Sequence, residues 1–245
     1  MRRFTIGPHR IQGSRVAFDR EESHHLMRVL RLRPGDLVIA GDGHGRDYTV
    51  RIDALGATAS GTVIGSTTPA VESRLGVSLF QGIAKGDKME TIVRAATELG
   101  VRRIVPVITE RAVVRLDPAR WRERARRWQR VAREASKQCG RAVVPEVDAP
   151  ASLADALADA TAADLRLCFW EEATQPLGPA LERLASPPSS VQIVIGPEGG
   201  LAPSEAAAAH ERGFTPVRLG PRILRTETAG LAVVAILQAR FGDLA

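Results

Sequence analysis

Val191-Gln192-Ile193-Val194-Ile195-Gly196-Pro197-Glu198-Gly199-Gly200-Leu201 is the stretch from which the fold is read. Four of its first five residues are β-branched and apolar, the pattern of a strand buried on both faces. Three glycines then crowd into five residues, and Pro203 stands where a helix would begin. Strand, glycine turn and helix form the unit of an α/β domain. Glycines there let the backbone approach a ligand closely and aim N–H groups at it, and Glu198 offers an acceptor to a ligand or to a neighbouring loop.

The same alternation extends outward. Strands are expected at 77–81, 104–108, 165–170, 191–195 and 217–219, and helices at 87–99, 118–138, 176–185, 203–212 and 226–240. The expected fold is therefore an α/β domain with a largely parallel sheet. Before it, residues 16–66 carry short β-like runs. The run Gly41-Asp42-Gly43-His44-Gly45 is followed by a strand pattern rather than a helix, which makes it a hairpin turn and not a dinucleotide fingerprint. With a short helix over 23–32, this part reads as a small β-barrel. The aperiodic segment 66–74 marks the boundary, giving domains 1–70 and 71–245.

The 245 residues suit one or two soluble domains. No apolar run approaches a bilayer span and no signal peptide is recognisable, so secretion and membrane insertion are not expected. Two cysteines, Cys139 and Cys168, make no disulfide framework, which fits a reducing cytoplasm. The five histidines show no ligand spacing, and no metal is expected. Charge is unevenly spread: net +3 over residues 1–74, +9 over 75–145 from 16 basic against 7 acidic residues, and −6 over 146–245. A basic middle third points to a polyanionic partner, with a merely solvated Arg-rich surface as the alternative.

Lys85 and Lys88 flank a glycine turn at the expected C-terminal sheet edge, where ligands of α/β domains gather; they are candidates for a ligand or RNA role. Asp87 and Glu90 have the spacing of a capping-box pair. In helix 118–138, Trp121, Ala125, Trp128, Ala132 and Ala135 share one stripe, read as core or subunit contact. Arg126, Arg127 and Arg130 lie off that stripe and, with Arg2, Arg3 and Arg28 near the N-terminus, are the candidate RNA contacts. A second loop, Leu219-Gly220-Pro221-Arg222-Ile223-Leu224-Arg225-Thr226-Glu227-Thr228-Ala229, interleaves apolar residues with Arg, Thr and Glu. Two such loops at one sheet edge suggest a small-molecule pocket, with Ile223 and Leu224 as apolar walls.

Those loops, together with Lys85-Gly-Asp-Lys-Met-Glu90, Thr97-Glu-Leu-Gly100 and Gln138-Cys-Gly-Arg141, resemble the RsmE family of 16S ribosomal RNA (uracil-N3)-methyltransferases. His24-His25-Leu-Met-Arg-Val-Leu-Arg31 and Arg33-Pro-Gly-Asp36 resemble that family's PUA-like RNA-binding domain. The resemblance implies a SPOUT-type α/β domain with a C-terminal deep trefoil knot that holds S-adenosylmethionine. It also implies a homodimer, and 16S rRNA or the small ribosomal subunit as partner. It places Gly196, Glu198, Gly199, Leu219, Gly220, Ile223 and Leu224 around the cofactor, with Trp170 and Glu171 closing one side. Ala202 stands where the family commonly has Ser or Thr, so a helix cap oxygen is missing.

Uracil N3 bears a proton and is a poor nucleophile until that proton leaves. Glu227 or Glu198 as base, or Arg222 and Arg225 stabilising charge on the imide oxygens, are the options the residues offer. A ribose 2'-O-methyltransferase of the same fold group and a non-catalytic ribosome assembly factor remain the alternative functions. Independently of the family, helix 226–240 is apolar on nearly every face, which makes a second chain its expected cover, with enclosure inside its own domain as the alternative.

Overall fold

The computed structural model describes residues 2–112 and 117–244; the terminal residues Met1 and Ala245 of the two expected domains lie outside them. The chain divides into two compact units, residues 1–72 with 133–144, and residues 73–132 with 145–245.

In the first unit, β1 (Arg2–Thr5), β2 (Ile11–Gln12), β3 (Arg15–Ala17), β4 (Leu37–Gly41), β5 (Asp47–Ala54) and β6 (Ser60–Thr67) form one curled sheet. Its order is β1-β4-β5-β6-β3-β2, with β1 and β4 parallel and every other pair antiparallel. Among the described residues no pairing joins β2 back to β1, so the expected barrel is a curled sheet. The side chains of Phe4, Phe18, Leu26, Val50 and Ile52 fill it, Phe4 and Phe18 meeting edge-on at 5.8 Å. Helix α1 (Arg20–His24) begins before the expected 23 because the Asp19 carboxylate accepts the Glu22 N–H at 2.8 Å, and it runs on as a wider π turn over His25–Val29.

Residues 133–144 join this unit for a specific reason. Glu72 holds them: one carboxylate oxygen accepts from the Arg141 guanidinium at 2.8 Å, the other from the Ala142 and Val143 N–H groups at 3.0 Å each. Gly45 and Gly43, on the hairpin turn, exchange backbone bonds with Ala142 and Val144. Lys137 forms a buried ion pair with Glu22. A single cut of the chain near residue 70 misses this insertion.

The second unit holds β7 (Gly76–Gly82), α2 (Lys88–Glu98), β8 (Arg103–Ile108), α3 (Pro118–Cys139, its residues from 133 onward grouping with the first unit), β9 (Glu146–Val147) and β10 (Ala151–Ser152). After these come α4 (Leu153–Ala158), β11 (Leu165–Phe169), α5 (Leu177–Glu182), β12 (Ser190–Ile195), α6 (Pro203–Glu211), β13 (Thr215–Val217) and α7 (Thr226–Phe241). The sheet runs β10-β8-β7-β12-β11-β13, with β9 also on β8, and every pair is parallel. The quoted run Val191–Ile195 is thus an inner strand, and all five residues are buried. Along β7, Leu79 and Gln81 face Gly230 of α7, while the intervening Phe80 packs with residues of α4 and α6. Trp121, Ala125, Trp128, Ala132 and Ala135 are buried, as a core stripe requires.

Two local expectations change, and one segment was not anticipated. The strand expected at 217–219 lies at 215–217, because its partner β11 ends at Phe169 opposite Val217 and offers nothing further to pair. Asp87 caps α2 without a side-chain bond, and Glu90 pairs instead with Arg127 at 2.6 Å. Segment 146–158, with two-residue strands and a short helix, has too little length to show a period.

Candidate active site

The C-terminal ends of β11, β12 and β13 and the start of α7 surround a cavity of about 580 Å³. Both glycine-bearing loops line it. The first contributes Gly196, Glu198 and Gly199, and the second Leu219, Gly220, Ile223 and Leu224. Trp170 and Glu171, just beyond β11, form a third wall, and Lys88, Arg222 and Arg225 are also in the lining. The candidate Glu227 joins through Lys88. Residues from Lys88 to Ala229 therefore meet because β7, β11, β12 and β13 end at one sheet edge.

The loops are held by Thr226, a member of the second loop, and by Gln81 and Gly82, which the motif reading missed. Thr226 donates to the Gly196 carbonyl at 2.7 Å and accepts from Gln81 Nε2 at 2.9 Å. Gln81 also donates to the Gly82 carbonyl at 3.0 Å. Gly82 touches the first loop so closely that a Cβ there would lie 2.6 Å from Pro197 Cδ and 2.7 Å from the Gly196 carbonyl carbon. The signal available in sequence was the position of Gln81 and Gly82 at the end of a strand, which says nothing of what crosses it.

Lys88 sits between two carboxylates, 3.3 Å from Glu198 and 3.1 Å from Glu227. The Lys85 backbone N–H, not its side chain, donates to Glu198 at 3.0 Å. Partial burial pulls the Glu198 carboxyl upward, but the bonds from the Lys85 N–H and Lys88 outweigh it and hold the group below the usual carboxylate value. Glu227 is also held below that value, chiefly by its own backbone N–H at the helix start and then by Lys88. Both carboxylates are ionised and committed to a cation at neutral pH, which makes either a weak general base. The side chains of Arg222 and Arg225 are exposed and make no hydrogen bond or ion pair among the described residues, though the charge of Arg225 also helps to hold Glu227 low.

Ile223 does not form an inner wall. Its side chain is 87 % exposed at the cavity rim, while Leu224 and Leu219 are half-buried and face the lining with Ile195. Trp170 Nε1 is buried without a hydrogen-bond partner in the same wall. Cys168 behind it is no nucleophile, since burial pushes its thiol up to about 12. No side-chain oxygen caps the helix at Ala202; the Glu205 N–H bonds to the Ala202 carbonyl at 3.0 Å, while the Glu205 carboxylate accepts the Ala202 N–H at 2.9 Å and, with its other oxygen, the Glu110 N–H at 2.8 Å.

Among the candidate RNA contacts, Arg2, Arg28, Lys85, Arg126 and Arg130 are exposed. Arg3 is not available: it forms a bidentate pair with Asp47 at 2.8 and 2.5 Å and donates to the Arg141 carbonyl. Arg127 is held by Glu90, and Lys88 belongs to the pocket. Among the described residues no group of His, Cys, Asp and Glu could hold a metal ion.

Comparison with known proteins agrees with this geometry. Residues 71–238 match the family model of the RNA methyltransferase domain, and residues 18–59 that of the RNA methyltransferase PUA domain. Ribosomal RNA small subunit methyltransferase E of Mycobacterium bovis is 33% identical over 236 residues, covering 94% of this chain and 89% of the relative. The Bacillus subtilis protein of the same name is 33% identical over 222 residues, covering 89% and 87%. The crystal structure of the Neisseria gonorrhoeae methyltransferase E bound to S-adenosyl methionine superposes with a TM-score of 0.89 at 34% identity, covering 100% of both chains. A Legionella pneumophila protein solved with bound cofactor SAM has a TM-score of 0.89 at 31% identity, covering 99% of this chain and 98% of that one. With a parallel sheet whose edge gathers the motif loops into one cavity, and matches that span nearly its whole length, the chain belongs to the ribosomal RNA small subunit methyltransferase E family, with an RNA methyltransferase domain and a PUA domain.

Proposed function

We propose that this protein transfers the methyl group of S-adenosylmethionine to N3 of a uridine in 16S rRNA of the small ribosomal subunit. The observation that carries the reading is the convergence of both motif loops, Trp170, Glu171 and Lys88 on one cavity in a chain of this family. The cavity fits such a cofactor. Ile195, Leu219 and Leu224 offer an apolar wall for a ring, Glu171 has no hydrogen-bond or ion-pair partner among the described residues, and the orphaned indole N–H of Trp170 lacks an acceptor. Gly196, Glu198, Gly199, Leu219, Gly220, Ile223, Leu224, Trp170 and Glu171 are the residues we assign to it, with Ile223 covering the rim. The cofactor, when bound, supplies a methyl group on a sulfonium that leaves readily.

What the chain must then do is orient the uracil and favour its ionised imide. Arg222 and Arg225 are assigned to that charge, since their side chains are exposed at the rim without a hydrogen bond or ion pair among the described residues and Glu198 and Glu227 are tied to Lys88. Glu227 acts by positioning Lys88 and the helix start. The N3 proton passes to solvent, the N3–methyl bond forms as the sulfur–methyl bond breaks, and S-adenosylhomocysteine remains.

We infer further that the second unit is a SPOUT domain with its C-terminal segment threaded as a deep trefoil knot. Supporting this are the placement of β7 between β8 and β12 and the crowding of Pro197 on Gly82. A homodimer is supported by α7, where Leu231, Ala232 and Ala235 are only half-buried and Ile236 is 40% exposed. The reading puts the enzyme in the cytoplasm with the ribosome; among the described residues no helix is long and apolar enough to cross a membrane. The test is incubation of the purified protein with labelled S-adenosylmethionine and either 16S rRNA or small subunits, followed by nucleoside mass spectrometry. 3-Methyluridine is expected; label in a 2'-O-methyl nucleoside, or no transfer to either substrate, overturns the assignment.

A further inference from the structure

Helix α3 carries arginines on both flanks of its solvent side. At about 100° per residue, the buried side chains of Trp121, Ala125, Trp128 and Ala132 fix the rotation of the helix against the second unit. Arg122, Arg126 and Arg130 then fall on one solvent face at i, i+4 and i+8, and all three are exposed. Glu123 lies beside Arg130 at the middle of the solvent side, and Arg127 and Arg120 follow it on the other flank. On that flank the cations are spent, Arg120 on Asp117 at 3.4 Å and Arg127 on Glu90 at 2.6 Å. The side chains of Arg122, Arg126 and Arg130 make no ion pair or hydrogen bond among the described residues.

A row of like charges at i, i+4 spacing disfavours a helix unless something neutralises it. The four-residue steps rise about 6 Å each, a spacing comparable to that between successive phosphates of one nucleic-acid strand. A guanidinium is also the donor suited to a phosphate's paired oxygens.

Building on the RNA methyltransferase reading, we infer that Arg122, Arg126 and Arg130 form a three-rung ladder that tracks the phosphate backbone of a single strand of the substrate rRNA, while Arg120 and Arg127 take no part. The ladder carries no sequence information of its own. It fixes the strand's register on the enzyme, and base selection is left to the pocket.

The experiment measures binding of the full protein to a 16S rRNA transcript across a salt series, with S-adenosylmethionine affinity as the check on folding. Arg→Gln changes suit the exposed helix because Gln keeps a good helix propensity. The triple variant Arg122→Gln, Arg126→Gln, Arg130→Gln is expected to weaken RNA binding and to flatten the log–log salt slope by about 2, at roughly 0.7 per lost contact. Its S-adenosylmethionine affinity should stay at the wild-type value. Arg127→Gln alone is expected to leave the slope unchanged. A triple variant with wild-type slope and affinity overturns the ladder, as does an Arg127→Gln slope that falls as far as that of a single rung variant. Loss of binding to assembled small subunits with undiminished binding to the naked transcript also overturns it, in favour of a ribosomal-protein contact. Failure of the activity reading would look different: wild-type protein would methylate no rRNA while the salt slopes still separated.

Discussion

Replacing Gly82 by Ala tests the link between the sheet and the cofactor loop. The new Cβ would stand 2.6 Å from Pro197 Cδ and 2.7 Å from the Gly196 carbonyl carbon, whereas carbon atoms in contact prefer about 3.5–4.0 Å. The shortfall is about 1 Å, and the opposing atoms are backbone and a proline ring, which have no rotamer to change. Relief requires the end of β7 to part from loop 196–200, where Thr226 holds the Gly196 carbonyl and the Lys85 N–H holds Glu198. Overpacking costs about 1–3 kcal/mol, and a strained buried hydrogen bond adds roughly 1 kcal/mol, so about 3 kcal/mol is expected. At about 2–4 °C per kcal/mol for a chain of this size, the melting temperature should fall by roughly 6–12 °C. A loop displaced by even a fraction of that free energy should lose S-adenosylmethionine affinity by about tenfold or more. Gly86→Ala is the matched control: its φ is +59° but no atom lies within 4 Å of the added Cβ, so only the left-handed backbone preference, about 1 kcal/mol, is lost. Calorimetric melting and titration read both quantities. A Gly82→Ala protein that melts within 2 °C of wild type (roughly 1 kcal/mol) and binds the cofactor equally well would refute the argument.

Arg222→Ala and Arg225→Ala should each lower kcat by about 10²-fold or more with cofactor affinity little changed, and an unaltered kcat in both removes them from the chemistry. If the imide ionises to solvent, wild-type kcat should rise about tenfold per pH unit below the uracil pKa, whereas a flat profile from pH 6 to 8 would return Glu198 or Glu227 to the role of base. Because both carboxyls titrate below the ordinary 4.5 in the folded chain, their ionisation favours folding above that value, and the contribution is lost as pH falls through the folded values. The stability gap between wild type and Glu227→Gln should therefore close on acidification; a gap that widens would show the opposite linkage. Ile236→Asp should convert a sedimenting dimer to monomer, and an unchanged mass would free that face of α7 from the interface.

The alternation of strands and helices, the buried stripe of α3 and the two loops of the pocket were all legible in the residues, because burial period and glycine content are local properties. The Trp stripe is an example: spacings of four and three leave it one face, and the core takes that face. Ile223 shows the limit, since apolar character alone cannot tell a cavity wall from its rim. Asp87 and Glu90 show another, for a side chain with the right local spacing still goes to the stronger partner, here Arg127.

Sequence by itself determined the class of each element, the glycine turns and the motifs, since each depends on neighbours within a few residues. Tertiary structure alone decided who shares a charge. Lys88 meets Glu227 across 139 positions, the Lys85 N–H meets Glu198 across 113, and Arg141 reaches Glu72 across 69, drawing residues 133–144 into the first unit. Arg3 left the pool of free cations because β4 and β5 bring Asp47 to β1, and Lys88 left it because β7 lies beside β12. Such pairings follow from strand order, and strand order is set by how the whole sheet buries both its faces, a quantity no single stretch of the chain contains.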